Sequence, residues 1–246
     1  MFREIVMPTS TQSIHERLNA LDWSQISDTL NQQGWCVLKT LLSTEECIST
    51  VSQYQNESLY RKCIIMQNHN FGSGEYQYFR YPLPDLVQQL RTSLYDHLYA
   101  IANQWKETMN IDVRYPDQLD KLITHCHQSG QNRPTPLILR YAAGDYNCLH
   151  QDLYGEHIFP LQAAILLSQP ETDFTGGEFI LTEQRPRMQS RPYVVPLTQG
   201  DAVIFAVYHR PVRGTRGFYR VNLRHGVSQI HTGHRHTLGV IFHDAQ

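Results

Sequence analysis

Several features that define other classes of protein are scarce or absent in this sequence. The five cysteines are odd in number and scattered, and none forms a CxxC pair. Neither a disulfide framework nor a cysteine-based zinc site is therefore predicted. We expect reduced thiols in a cytoplasmic protein, with most of the cysteines buried as small hydrophobic residues.

Long apolar runs are absent as well. No segment approaches the roughly twenty apolar residues that a helix needs to span a bilayer, so no contact with a membrane is predicted. The opening residues, MFREIVMPTSTQ, contain no apolar core long enough for a secretory signal. No repeat or low-complexity linker interrupts the chain, so we expect one domain over residues 1–246.

An excess of charge of one sign is also lacking. The formal net charge is −2, which does not support a surface dominated by contacts with nucleic-acid phosphates. Arginines nevertheless cluster in two segments, at residues 185–191 and 208–224. These clusters leave a local phosphate-binding groove and a nucleic-acid partner open, with ordinary solvated surface as the equal alternative.

The first part of the chain, residues 1–130, is predicted to be rich in helix. Apolar residues at helical spacing predict a helix over 12–32 that ends at Gly34. Other predicted elements are a strand at 35–38, a helix opened by the capping box Ser43–Glu46, a long helix capped by Asp85 and ending near Met109, and a helix over 117–127.

Residues 71–84, with their glycines, prolines and tyrosines, are predicted to form a loop. Such a loop suits a wall or lid over a pocket, and a packed Ω-loop is an equal alternative. As a wall, it would offer Tyr76, Tyr78 and Arg80 to a substrate, and Tyr154 would join them from another segment.

From residue 131 to residue 246 the pattern changes to short strands separated by Gly and Pro. The predicted strands are 137–141, 162–167, 177–181, 193–197, 202–205, 219–223, 226–230 and 236–242. This pattern predicts an α+β fold with a mainly β core, a double-stranded β-helix or jelly roll, with the N-terminal helices packed on one sheet.

A set of metal-ligand residue types lies in this β region. His150 and Asp152 are two positions apart, so an extended segment points both to one side, and strand pairing could bring His225 beside them. Two histidines and one carboxylate leave coordination positions open, as a redox-active Fe(II) that binds O2 requires, whereas a structural zinc site is closed by four ligands.

Four other histidines compete with His225 for the distal position: His231, His234, His236 and His243. Alternation disfavours His234 and His236, because both flank Arg235 and face away from it.

Arg235 lies ten residues after His225 and shares a strand face with Thr237. A guanidinium and a hydroxyl on one face can hold a carboxylate, and Tyr141 could donate a third hydrogen bond. This combination indicates an organic acid as co-substrate.

With these residues the chain resembles the Fe(II)/2-oxoglutarate-dependent dioxygenases, over the region from Leu137 onward. The similar segments are LRYAAGDYNCLHQD, TGGEFIL, PLTQGDAVIF and HGVSQIHTGHRHTLGVIF, and GWCVLKTLLSTEEC near the start is also typical. NRPTPLILRYAAGDYNCLHQDLYGEHIFP and RVNLRHGV resemble, more narrowly, a bacterial group classed as nucleic-acid-modifying oxygenases. Prolyl hydroxylases share the same skeleton.

The resemblance implies iron on His150, Asp152 and His225, and 2-oxoglutarate on Arg235 with Thr237 and Tyr141. It implies hydroxylation or oxidative demethylation of an organic substrate by O2, with release of succinate and CO2 and with ascorbate as a stimulant. Asp152 stands where related halogenases have a small residue, which favours hydroxylation.

The substrate and the oligomeric state stay open in the sequence. A modified nucleobase, an amino-acid or peptidyl (prolyl-type) side chain and a small metabolite are alternatives. Two alternatives of another class are a non-catalytic 2-oxoglutarate or metal sensor, which the open triad disfavours, and a carbohydrate-binding jelly roll, which the metal-ligand set disfavours.

Overall fold

The structure is a computed structural model that describes residues 12–246, so all but the last residue of the opening segment, for which no secretory signal is predicted, lies outside the described residues. The α-helices are α1 (Ile14–Asn19), α2 (Trp23–Gln33), α3 (Thr44–Ser52), α4 (Asp85–Thr108) and α5 (Leu119–Gln128). The strands are β1 (Trp35–Leu38), β2 (Tyr60–Ile65), β3 (Gly72–Ser73), β4 (Glu75–Phe79), β5 (Leu137–Ala142), β6 (Tyr146–His150), β7 (Leu161–Leu166), β8 (Phe174–Gly176), β9 (Phe179–Gln184), β10 (Arg191–Val195), β11 (Ala202–Ala206), β12 (His209–Gly214), β13 (Gly217–Val227) and β14 (Ile230–Val240).

The segment predicted as one helix over residues 12–32 is two helices. The Asp22 carboxylate accepts a hydrogen bond from the Gln25 amide, which starts α2 as a separate helix. The predicted end is confirmed: Gly34 has a left-handed φ of 83°, which favours glycine and stops α2. Asp85 is the first residue of α4 and does not cap it.

The predicted loop at residues 71–84 is wrong, because half of it forms the strands β3 and β4. β4 lies between β2 and β5 in the larger sheet, where it hydrogen-bonds to both. Along β4, Tyr76 and Tyr78 are buried and the residues between and before them are half-buried. This alternation is the strand signal, which the flanking glycines and prolines obscure in the sequence.

Two antiparallel sheets form the β core. The eight-stranded sheet has the order β1-β11-β7-β14-β5-β4-β2, and β8 also pairs with β14. The six-stranded sheet has the order β10-β9-β13-β6-β3, and β12 also pairs with β13. Two strands pair with successive stretches of β13: β12 pairs with its first part, up to Asn222, and β6 pairs with its last part, near His225.

Alternation along the larger sheet separates a helix-covered face from a cavity face. On β14, Leu238 and Val240 join the core that the helices share, whereas Arg235 and Thr237 line a cavity on the opposite face. The helices therefore cover the outer face of this sheet, as predicted, and the cavity opens towards the smaller sheet.

The longest strands differ from their predicted bounds. β13 and β14 replace three predicted strands, at 219–223, 226–230 and 236–242, and His225 lies inside β13. Outside residues 71–84, the strands β2, β6, β8 and β12 were not predicted. Among residues 12–246, no helix has the length and apolar character needed to cross a bilayer.

All five cysteines are free thiols, as predicted. The expectation that most are buried is wrong: Cys47 and Cys126 are buried, Cys36 is half-buried, and Cys63 and Cys148 are exposed.

Candidate active site

The pairing of β6 with β13 brings the two candidate histidine ligands together. His225 lies directly opposite His150 in this register, and their ring centroids are 4.2 Å apart. Asp152 follows β6 by two residues and joins them. The Asp152 carboxylate lies 3.5 Å from His150 Nε2 and 3.4 Å from His225 Nε2.

A network of hydrogen bonds fixes the orientation of this group. His150 Nδ1 donates to the Cys148 carbonyl at 2.7 Å, which leaves Nε2 as the free ligand atom. The Asp152 carboxylate accepts from the Tyr154 hydroxyl at 2.7 Å and from the Gln162 amide at 2.8 Å. Each carboxylate oxygen therefore has one uncharged donor besides its histidine.

The protonation states of His150, Asp152 and His225 favour the binding of a cation between them. Burial opposes the charge of Asp152, but hydrogen bonds and charge from His150 and His225 outweigh it and hold the pKa of Asp152 well below its usual range. Burial and the neighbouring His150 lower the pKa of His225, whereas Asp152 raises the pKa of His150 against burial. Burial and the Asp152 charge raise the pKa of the Tyr154 phenol, so it stays a donor.

These three side chains fit a divalent cation. One ligand atom from each lies within 4.8 Å of the others, and they offer two imidazole nitrogens and one carboxylate oxygen. That donor set suits Fe(II) with positions left for O2 and a co-substrate.

Arg235 and its neighbours form another part of the same cavity. The Arg235 side chain is 1% exposed, and its Nη1 donates to Thr237 Oγ1 at 2.6 Å. Its Nε has no acceptor, and no acidic side chain in the described part of the chain forms a salt bridge with it. Burial lowers the pKa of Arg235 to about 10, so the guanidinium is still charged at neutral pH. A buried cation without a counter-charge fits the carboxylate of a ligand.

One cavity of about 160 Å³ joins the two groups. The residues predicted for metal, co-substrate and substrate that line it are His150, Asp152, His225, Arg235, Thr237, Tyr141, Tyr76 and Tyr154. Tyr78 and Arg80 are not in the lining. Tyr78 is buried under the Arg61 guanidinium, and the exposed Arg80 donates to the Tyr60 carbonyl. The cavity thus contains every predicted ligand residue and two of the four tentative substrate residues.

Sequence reasoning missed several residues of this cavity, among them Gln162, Asn147 and Phe71. Gln162 binds Asp152, Asn147 donates to the Tyr141 hydroxyl at 3.2 Å, and the half-exposed Phe71 lines the cavity. Gln162 carries a visible signal, since it is the one amide inside the apolar strand β7. Asn147 and Phe71 lie in segments without such a contrast.

A family described as "Oxygenase, catalysing oxidative methylation of damaged DNA" matches residues 74–245 of the chain. The chain belongs to this family. Two proteins of Mycobacterium tuberculosis, from strains CDC 1551 and H37Rv and both described as uncharacterized, are similar to this oxygenase. Each is 48% identical over 167 residues, which is 68% of this chain and 72% of theirs.

Solved structures show the same fold. A prolyl-4-hydroxylase from Pseudomonas putida aligns with a TM-score of 0.54 at 14% identity, over 92% of this oxygenase and 100% of that chain. A prolyl hydroxylase from Trichoplax adhaerens, in complex with a hypoxia inducible factor peptide fragment, aligns with a TM-score of 0.51 at 13% identity, over 96% of this chain and 94% of that one. The family match confirms the predicted group of nucleic-acid-modifying oxygenases and the oxidoreductase class, and the solved structures confirm the jelly-roll fold.

Proposed function

We propose that this oxygenase binds Fe(II) through His150, Asp152 and His225 and binds 2-oxoglutarate through Arg235, Thr237 and Tyr141. We propose a damaged, methylated nucleobase in DNA as its substrate, because the family description names damaged DNA. The observation that carries the proposal is the open three-ligand group and the unpaired buried Arg235 in one cavity.

The overall reaction balances with the proposed co-substrates. Iron bound here would supply the activation of O2. One oxygen atom goes to succinate as 2-oxoglutarate loses CO2, and the other is inserted into a C–H bond of the substrate. If that carbon is an N-methyl group, the hydroxymethyl product breaks its C–N bond. It then releases formaldehyde and leaves N–H on the base.

The chain itself positions groups and excludes water. Tyr154 and Gln162 hold the carboxylate of Asp152, and the Cys148 carbonyl holds the His150 ring. The apolar side chains of Phe179 and Phe205 line the cavity beside His225. Such a wall strengthens the electrostatic contacts inside and limits side reactions with water.

Three further assignments complete the proposal. The helices and strands share one hydrophobic core from Ile14 to Phe242, which supports a single oxygenase domain with a helix-rich part before residue 131 and the jelly roll after it. The free cysteines support a reducing cytoplasmic location. Ascorbate is expected to stimulate turnover by keeping the iron reduced.

The test is succinate formation from 2-oxoglutarate with Fe(II), ascorbate and O2, in the presence of methylated or unmethylated oligonucleotides. We expect the methylated oligonucleotide to stimulate succinate formation. One formaldehyde should be released for each additional succinate formed. His225→Ala should abolish both, whereas the control His231→Ala, at an exposed histidine, should abolish neither.

Other outcomes would contradict the proposal. Stimulation by a proline-containing peptide instead of the oligonucleotide would replace the substrate class. Binding of metal and 2-oxoglutarate without succinate, across nucleic-acid, peptide and small-metabolite candidates, would indicate a sensor. Full activity of His225→Ala would overturn the ligand assignment.

A further inference from the structure

A second cavity, of about 220 Å³, lies on the outer face of the six-stranded sheet. Arg185, Arg187, Arg220, His209 and Asn222 line it, and within residues 12–246 no carboxylate does. We name it the arginine cavity. Three guanidinium groups without an acidic lining form a strongly positive concave surface in a chain whose formal net charge is −2.

Strand pairing assembles the arginine cavity from distant segments. β12 and β13 place His209 directly opposite Asn222, and alternation along β13 puts Arg220 on the same face as Asn222. Arg185 and Arg187 come from the turn after β9, which pairs with the other edge of β13. This outward face is separate from the inward face that carries His225.

The arginines of this cavity keep donors for a ligand. Arg185 uses Nε to bind the buried Glu183 at 3.0 Å, and Arg220 uses one Nη to bind the Met109 carbonyl at 3.0 Å. A guanidinium has five N–H donors, so each retains others. Burial, Arg220 and Lys106 lower the pKa of His209, which agrees with a positive local field.

One hydrogen-bonded pair separates the arginine cavity from the active site. Gln151, between the ligands His150 and Asp152, lines the active-site cavity, whereas Asn222 lines the arginine cavity. Gln151 Nε2 donates to Asn222 Oδ1 at 2.6 Å and to the Leu223 carbonyl at 2.7 Å. A strand bound in the arginine cavity would therefore lie next to the segment that carries two metal ligands.

We infer that the arginine cavity binds backbone phosphate of the nucleic-acid substrate and holds the strand while one base occupies the active site. Guanidinium groups bind phosphate through paired hydrogen bonds, and such contacts position a strand without reading its sequence. This inference rests on the proposed function, since it locates the phosphate contacts of that substrate.

The test measures binding of a fluorescently labelled, methylated single-stranded oligonucleotide by anisotropy over a range of salt concentrations. The double variant Arg187→Gln with Arg220→Gln removes two cavity charges. The matched control, Arg213→Gln with Arg216→Gln, removes two exposed charges from β12 and the following turn, outside the cavity. We expect the cavity variant to raise Kd about tenfold and to reduce the slope of log Kd against log salt by about 1.4, two contacts at 0.7 each.

A second measurement keeps the two proposals apart. Succinate formation with the methylated nucleoside, which carries no phosphate, should be equal in the wild type, the cavity variant and the control. Equal oligonucleotide binding by the cavity variant and the control would overturn the assignment of the arginine cavity as the phosphate-binding site. The proposed function would still stand. Absence of oligonucleotide binding by the wild type, with succinate formation intact, would overturn both the cavity and the nucleic-acid substrate.

Discussion

Arg210 and Arg235 are both 1% exposed, but their surroundings differ in one respect. Arg210 forms a salt bridge with the buried Glu183 and donates to the Asn31 carbonyl at 3.0 Å. Arg235 has a hydroxyl partner, Thr237, and forms no salt bridge with any carboxylate of residues 12–246. The Nε of each arginine has no acceptor, so the difference is one of charge: a carboxylate within the fold pairs with Arg210, whereas the charge of Arg235 is left for an anionic ligand.

This difference separates a structural residue from a binding residue. A buried charge destabilises the folded state unless it is paired. An anionic ligand that pairs with Arg235 removes this cost, and the gain contributes to the free energy of binding. In sequence both are arginines within strands that also contain histidine. The carboxylate partner of Arg210 comes from β9, a strand distant in sequence, whereas the hydroxyl partner of Arg235 is two residues away on β14.

The largest expected effect is the loss of stability on substitution of Arg210, the arginine that is paired with a carboxylate. Arg210→Met leaves Glu183 buried with Arg185 as its remaining partner, so we expect a loss of about 3–5 kcal/mol in the free energy of unfolding. Chemical denaturation measures it. The affinity for 2-oxoglutarate should be unchanged; a stable variant with weak 2-oxoglutarate binding would reverse the comparison.

Arg235→Met should show the opposite behaviour. We expect 2-oxoglutarate affinity to fall about 100-fold, or 2–3 kcal/mol, because a charge-assisted pair is lost, while stability stays near that of the wild type. Calorimetric titration with Mn²⁺ in place of iron measures binding without turnover. Arg235→Lys, which keeps the charge but loses the fork, should be intermediate. Unchanged affinity in Arg235→Met would remove this residue from the co-substrate site.

His243 extends the comparison to a buried base that stays neutral. Burial, with Arg91 adding, lowers the pKa of His243 to about 4, so protons bind the unfolded chain more tightly than the folded one. The contribution of neutral His243 to the free energy of unfolding is complete above about pH 6.5 and is lost as the pH falls towards 4. At pH 5 this group should cost about 2 kcal/mol of unfolding free energy relative to pH 7. Chemical denaturation at both pH values should show a smaller difference in unfolding free energy for His243→Gln than for the wild type. An equal difference would show that His243 is not the cause of the pH dependence.

The smallest expected effect concerns a donor to the metal-binding carboxylate. Tyr154→Phe removes the hydroxyl that binds Asp152 at 2.7 Å, and we expect metal affinity to fall about tenfold. Competition with a chelator measures it. Tyr76→Phe is the matched control, because Tyr76 lines the same cavity and its ring packs edge-on against Tyr78. Equal metal affinity in both variants would show that Tyr154 lines the site without supporting the carboxylate.

Much of the candidate site could be predicted because it depends on local spacing. The two-residue interval from His150 to Asp152 and the alternation of Arg235 with Thr237 hold in any extended chain. Gln162 could not be assigned, since its contact with Asp152 depends on the packing of β7 over the metal-ligand segment. Residues 71–84 were mistaken for a loop because β4 is short and begins directly after a glycine.

The class of chemistry, the ligand residue types and which of them share a strand face can all be predicted from the order of residues along the chain, because residue spacing and the two-residue period of a strand are local properties. Tertiary structure decided that His225 lies opposite His150, that Arg210 is paired while Arg235 is not, and that three arginines share one cavity. Those facts depend on the register between strands far apart in the chain, which is selected by the packing of the whole core.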